Sequence, residues 1–417
     1  MAQSAVRTAF AGLIGNVLEW FDFAVYGYLN TQIGAKFFTS FSKESQQNWA
    51  FALFWLGFVA RPIGSVVLGR IGDHIGRRAL LTLSIALMGG STLAIGLLPG
   101  YETIGVFAPI LLFTMRVIQG FSLGGEFTGS MVYTTELSSP LMRGLVSSST
   151  AAGTSLGFIL GSGAVWAVRS AVGDAALSDW GWRIPFLASV VFCIAGYLLR
   201  HGIVEPEETA GAEKGKPWWV QVKRDWKPIV QAFGIVGMTN AAYYLTFTFA
   251  PETRQQDKAY DPNEFLKFNV FVLFLVLASK PLGGFLSDKI GRRKLMITIQ
   301  VVAAALFYPA LSLMMTGTPT HFAIGQLMMA VPLGMALGLQ GAMLVEIFPV
   351  RARVLSMSVA YSATLALAGG IAPLLGKNMI TWFGSPVAPA YFVFAHAIVG
   401  FILMLGMKET NANSLSE

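Results

Sequence analysis

Glu19 and Asp22 stand three residues apart in the first long apolar stretch of the chain, and Arg116 stands in the fourth. A charged side chain in such a stretch costs several kcal/mol unless it is paired or faces a polar cavity. Three apart on a helix, the two carboxylates project in neighbouring directions. Asp22 lies about 12 residues, or about 18 Å of helix rise, from the start of its span. Arg116 lies about 12 residues from the opposite start of its own, so the two depths are compatible. A buried carboxylate beside a guanidinium can take up and release a proton. No nucleophile with an adjacent base accompanies them. The four histidines, His74, His201, His321 and His396, lack metal-ligand spacing. The chemistry on offer is therefore proton binding and solute recognition. No enzyme activity, cofactor or metal is expected.

The elements that must position these groups are membrane helices. The chain is 54% hydrophobic and only 12% charged, with a mean hydropathy of +0.60, which excludes an ordinary soluble domain. Twelve apolar segments, each near the ~20 residues needed to cross a bilayer, fall at 10–33, 49–69, 79–99, 104–135, 144–168, 183–200, 229–250, 266–286, 295–315, 321–345, 354–376 and 389–407. The sixth is short. Cys193, the single cysteine, lies in an apolar run and reads as a small buried hydrophobe. No cleavable signal is expected, because the stretch after Arg7 is too long for a signal core.

An even number of spans puts both termini and alternate loops on one side. Those segments hold 18 Lys and Arg, against six in the opposite loops. By the positive-inside bias the termini are cytoplasmic, in an inner (plasma) membrane protein. The same dispersal of basic residues at span ends explains the pI of 9.4 without nucleic acid as a partner. Residues 201–228 break the hydrophobicity and read as a cytoplasmic linker, with Trp218 and Trp219 in the membrane interface or at the start of the seventh span. The halves are then 1–200, a six-helix bundle, and 229–417, a second bundle with a short tail.

A repeat supports the division. Gly69-Arg-Ile-Gly-Asp73-His-Ile-Gly-Arg77-Arg78 recurs as Gly284-Phe-Leu-Ser-Asp288-Lys-Ile-Gly-Arg292-Arg293, directly after an apolar stretch each time. Glu136-x6-Arg143 and Glu346-x6-Arg353 follow the fourth and tenth spans in the same way. Duplicated membrane halves that rock about a central site mark a transporter. Asp73 and Asp288 can face the positive N-terminus of a neighbouring helix. Arg77, Arg78, Arg292 and Arg293 can hold helix ends or carboxylates. Such bonds form a cytoplasmic gate; simple anchoring to lipid headgroups is the alternative. Arg61-Pro62 and Lys280-Pro281 form another echo, offset by one helical turn.

These motifs, together with Gly15–Gly27, Gln119–Glu126, Thr128-Gly129, Leu156–Gly161, Trp180–Phe186, Thr239-Asn240 and Tyr243-Tyr244, resemble the metabolite:proton symporter family of the major facilitator superfamily, its osmolyte carriers above all. The resemblance covers essentially the whole chain. It implies an all-α membrane protein with twelve helices in two pseudo-symmetric six-helix bundles, carrying a small organic solute with protons through the bilayer, as a monomer. It also implies a coupling pair between a span-one carboxylate and a span-four base, here Asp22 with Arg116. Glu19 is the rival proton site. Glu126, in its G-G-E context, joins Glu136, Arg143, Glu346 and Arg353 in the inner gate. Osmolyte carriers have a C-terminal coiled-coil extension that is missing before Glu417, so osmosensing is not expected. Arg116 resembles the organic-acid members, and Lys280 is unusual for the family.

For the solute, Tyr26, Gln119, Asn240, Tyr243 and Tyr244 offer hydrogen bonds and aromatic faces. Aromatic faces suit a quaternary ammonium, while Arg116 and Lys280 suit a carboxylate. A betaine-like zwitterion uses both, and an organic acid uses mainly the bases. An exporter or antiporter of a small organic anion or siderophore-like metabolite is the alternative function.

Overall fold

A computed structural model describes residues 16–75, 77–136, 138–200, 218–353 and 355–410, and every regular element among them is helical. In chain order these are α1 (residues 16–28), α2 (Asn30–Phe37), α3 (Lys43–Ile75), α4 (Arg77–Leu97), α5 (Tyr101–Ile104), α6 (Phe107–Ser122), α7 (Glu126–Glu136), α8 (Arg143–Ala176) and α9 (Arg183–Arg200). Then come α10 (Trp218–Arg224), α11 (Trp226–Tyr244), α12 (Ala250–Arg254), α13 (Pro262–Ile290), α14 (Arg292–Thr316), α15 (Pro319–Ile347), α16 (Leu355–Thr364), α17 (Ala372–Phe383) and α18 (Ala390–Leu405). Short π-helical turns, Leu245–Phe249 and Leu365–Gly370, join α11 to α12 and α16 to α17. The result is twelve crossings.

Seven helical runs are long and apolar enough to cross a membrane by themselves, and three shorter apolar helices correspond to the third, sixth and twelfth spans. The other two, the first and seventh, carry interior polar groups: Asn16, Glu19, Asp22, Asn30 and Gln32 in one, Thr239, Asn240, Thr246 and Thr248 in the other. A helix enclosed by other helices need not be apolar all round. Boundaries move accordingly. The second span begins at Lys43, and the fifth runs on to Ala176. The tryptophan pair forms its own short helix, α10, so the seventh span starts at Trp226. Residues 201–217, most of the expected linker, lie outside the described residues.

The halves meet through two equivalent interfaces. α3 packs on α16 and the Leu365–Gly370 turn, while α8 packs on α13 and α15. Spans two and eleven, and spans eight and five, exchange places under the duplication. Within each half small residues allow backbone-to-backbone approach. A Cβ on Gly64 or Gly120 would strike the carbonyl of Phe121 or Gly57, and one on Gly338 would strike that of Lys280.

Candidate functional site

α1 and α6 bring Asp22 and Arg116 together. Asp22 Oδ2 lies 3.6 Å from Arg116 Nη1, and both side chains are essentially inaccessible. Gln119, one turn beyond Arg116, ties them: it accepts from Arg116 Nη1 at 2.7 Å and donates to Asp22 Oδ2 at 2.6 Å. Its Nε2 also reaches Thr92 Oγ1 at 2.9 Å. The guanidinium donates to the carbonyls of Leu53 and Phe54 and lies over the Tyr26 ring at 4.2 Å. Every one of these partners belongs to the first half. Tyr26 and Gln119, expected to face the solute, also belong to this charge network. The i, i+3 spacing of Arg116 and Gln119 was the available signal.

Glu19 does not join that pair. It accepts a short hydrogen bond from Arg61 Nη2 of α3, and both are buried. The spacing of Arg61-Pro62 marked this base in the sequence, but not its partner.

Of the remaining expected solute residues, Tyr243, Tyr244 and Lys280 touch the first half. Asn240 Nδ2 donates to Val236 O of its own helix. Tyr243 and Tyr244 are buried with hydroxyls that have no hydrogen-bond partner among the described residues. Their rings meet Phe158 at 5.1 and 6.0 Å, and Tyr244 meets Phe58 at 5.5 Å. Lys280, wholly buried on α13, donates to Ala151 O at 2.5 Å and Thr154 Oγ1 at 2.7 Å of α8. Among the described residues it has no carboxylate partner.

At the end of the bundle where α8 begins, Asp288 caps that helix. Its carboxylate accepts from the backbone N–H of Gly144 at 2.9 Å and of Leu145 at 3.0 Å, satisfying orphan donors at the positive helix end. Arg292 Nη1 lies 2.7 Å from Asp288, and its Nη2 lies 3.1 Å from Glu346. Arg353 pairs across the halves with Glu136 at 2.9 Å. Arg143, the residue before Gly144, is buried beside them. Arg293 donates to the last carbonyls of α18, Met404 and Leu405, at 2.8 Å each. Glu409 caps α14 through the N–H of Arg292 at 2.5 Å, a contact no motif announced. The side chains of Asp73, Arg77, Arg78 and Glu126 lie outside the described residues.

At the opposite end, Glu252 is buried and accepts from Thr31 and from Gln256 Nε2 at 3.4 Å. Gln47 of α3 donates to Gln256 at 2.6 Å and accepts from Lys377 of α17. Arg169 of α8 donates to Gln255. These bonds close the two halves together. Burial pushes the Glu252 carboxyl up to about 7, against the lowering effects of Thr31, Lys377 and Arg169. A water-exposed carboxyl keeps its ordinary value of 4.5, so closing this end takes up a proton between those values. Acid therefore favours closure, and closure weakens as the pH rises through about 7. Maleimide labelling of a cysteine placed at Asn48, in a Cys193→Ala background, should rise more from pH ~6 to ~8 than in the Glu252→Gln variant. Equal pH responses in the two backgrounds would assign the titration elsewhere.

Residues 8–207 match the family model described as sugar (and other) transporter, and residues 232–415 match that of the major facilitator superfamily. A proline/betaine transporter of Escherichia coli (strain K12) is 33% identical over 96% of this chain and 83% of its own length. A citrate-proton symporter of Klebsiella pneumoniae is 32% identical over 96% of this chain and 91% of its own. The proton:xylose symporter XylE, bound to 6-bromo-6-deoxy-D-glucose, matches with a TM-score of 0.75 at 17% identity. That match covers 100% of this chain and 98% of the other, and it shows the fold.

Proposed function

This chain belongs to the major facilitator superfamily, and we propose that it carries a small zwitterion or carboxylate together with protons by alternating access. The observation that carries the reading is the buried Asp22–Gln119–Arg116 network. Asp22 is the proton site and Arg116 its counter-charge, both held inside one half. Glu19 remains the rival. Relatives named for proline/betaine and for citrate with protons agree with a solute that bears a carboxylate.

The unit acts as a monomer in an inner membrane, with the termini and the Asp288 cluster on the cytoplasmic side. Residues 1–200 and 229–417 form the two rocking halves, joined by 201–228. Asp73, Arg77, Arg78, Glu126, Glu136, Arg143, Asp288, Arg292, Arg293, Glu346 and Arg353 form the inner gate. The solute is held between the halves by Asn240, Tyr243, Tyr244 and Lys280. Tyr26, Arg116 and Gln119 back that surface from the first half.

Proteoliposomes with an alkaline interior should accumulate labelled glycine betaine, proline or citrate, and a protonophore should abolish the accumulation. Absence of gradient-driven uptake for all three would overturn the reading. Lys280, a cation whose visible partners are neutral, should favour a second carboxylate. Lys280→Gln should weaken citrate binding by about 1.5–3 kcal/mol, the worth of a charged hydrogen bond, and betaine binding much less. Thermal stabilisation by each solute measures this, and unchanged citrate binding would make Lys280 structural.

A further inference from the structure

The proposed substrate set leaves one buried base, Arg61 of α3, without a task. Arg61 is 1% exposed and lies on α3, the helix of the first half that packs against α16 of the second. Phe58, one turn before it, fills the space that a Cβ on Gly370 would need, and meets Tyr244 at 5.5 Å. The guanidinium stands 5.6 Å from the Trp20 ring centroid and 5.8 Å from those of Phe23 and Phe58. Trp20 reaches Tyr361 of the second half through Phe127, with ring spacings of 5.7 and 5.3 Å.

A guanidinium carries five N–H donors. Here Nη2 donates to Glu19, while Nε and Nη1 have no hydrogen-bond partner among the described residues. Trp20 Nε1 and the Tyr244 hydroxyl are likewise buried and without one. Unsatisfied donors at this depth are costly, and aromatic faces repay only part of the cost for the cation. One Nη2 hydrogen and either Nε–H or Nη1–H form an edge of the fork that Glu19 does not occupy. That edge fits a second carboxylate by two parallel bonds.

We propose that Arg61 is the anchor for the carboxylate of the transported solute, at a site completed by Trp20 and Tyr244. The inference deepens the reading given above and rests on it. It assigns the solute carboxylate to Arg61 instead of Arg116, whose Nε, Nη1 and Nη2 all donate already to Leu53, Gln119 and Phe54. Charge balance adds a consequence. Arg61 and Glu19 sum to zero, so a carboxylate added to this pair needs a positive charge from Lys280, from the solute itself or from a proton that enters with it. Aromatic rings around the guanidinium can also receive a quaternary ammonium. A betaine-type zwitterion thus brings its own compensation, whereas citrate must bring protons.

The test uses the full chain in detergent, with glycine betaine and citrate as probes and solute-dependent thermal stabilisation as readout. Arg61→Gln alone strands Glu19 as an uncompensated buried charge. The double variant Glu19→Gln with Arg61→Gln removes both charges and is decisive. Both solutes should bind about 10- to 150-fold more weakly to it, the equivalent of one lost charged hydrogen-bond pair. Arg61→Lys keeps the charge but not the fork, and should weaken binding by a smaller factor. Affinity within twofold of wild type in the double variant overturns the assignment to Arg61. If that variant does not fold, unchanged affinity in Arg61→Lys overturns it. Wild-type protein that binds neither probe and accumulates no solute fails the transport reading itself, which separates the two failures.

Discussion

Asp22→Asn abolishes solute accumulation driven by a proton gradient while leaving solute exchange in place. A proton gradient is worth about 1.36 kcal/mol per pH unit, so coupling one proton to one solute sustains roughly tenfold accumulation for each unit. A side chain that cannot titrate transmits none of that energy, and the internal solute concentration falls to the external one. Asparagine is nearly the same size and can still accept from Gln119, whose amide lies 2.6 Å from the carboxylate. The helix packing around α1 should therefore survive. Arg116 keeps its bonds to Gln119 and to the Leu53 and Phe54 carbonyls, although it loses its counter-charge. Counterflow of labelled solute without a gradient should persist at a reduced rate. The pair of measurements, accumulation and counterflow, separates loss of coupling from loss of the protein. If Asp22→Asn accumulates solute as wild type does, the proton site moves to Glu19, the other buried carboxylate of α1.

The sequence made the twelve crossings and the twofold plan legible because both depend on features that survive any helix rotation. Apolar length marks a span whichever way it faces, and the Asp288 motif repeats that of Asp73 at the same point of each half. Compatible depths for Asp22 and Arg116 followed from rise per residue alone. Partner choice did not follow, since it depends on how each helix turns about its axis. Glu19 and Asp22 are three residues apart, yet one meets Arg61 of α3 and the other Arg116 of α6. Gln119 reads in the sequence as a solute ligand, and only its position over Asp22 reveals that it also bridges the charges. The second landmark pair behaves similarly. Glu346 turns to Arg292, and Arg353 reaches across to Glu136 of the other half. Glu252 fell just beyond the seventh span, where a loop carboxylate gives no sign of the Thr31 and Gln256 contacts that enclose it.

Asp288→Asn should open the end of the bundle that Asp288 now closes. The carboxylate does two jobs there, accepting from the N–H groups of Gly144 and Leu145 and pairing with Arg292. The first bond set joins α13 of the second half to α8 of the first, so it exists only while the halves are together at this end. Asparagine offers one neutral oxygen and an NH2 group with two donors in place of two charged acceptors. A backbone donor at the start of α8 loses its partner, and Arg292 keeps Glu346 and the Ser287 hydroxyl. Losing a charged acceptor costs about 1.5–3 kcal/mol, or about one to two orders of magnitude in the closed-to-open ratio. Folding within each half does not depend on the contact. A reporter cysteine at Ser147, 1% exposed on α8, in the Cys193→Ala background, should therefore react with maleimide about ten to one hundred times faster. Arg292→Gln should act in the same direction, because it strands Asp288 and Glu346 together. Lipid anchoring makes the opposite demand, since charges that merely bind headgroups leave Ser147 as shielded as before. Unchanged labelling in both variants, with melting temperatures retained, would therefore remove the gate from this cluster.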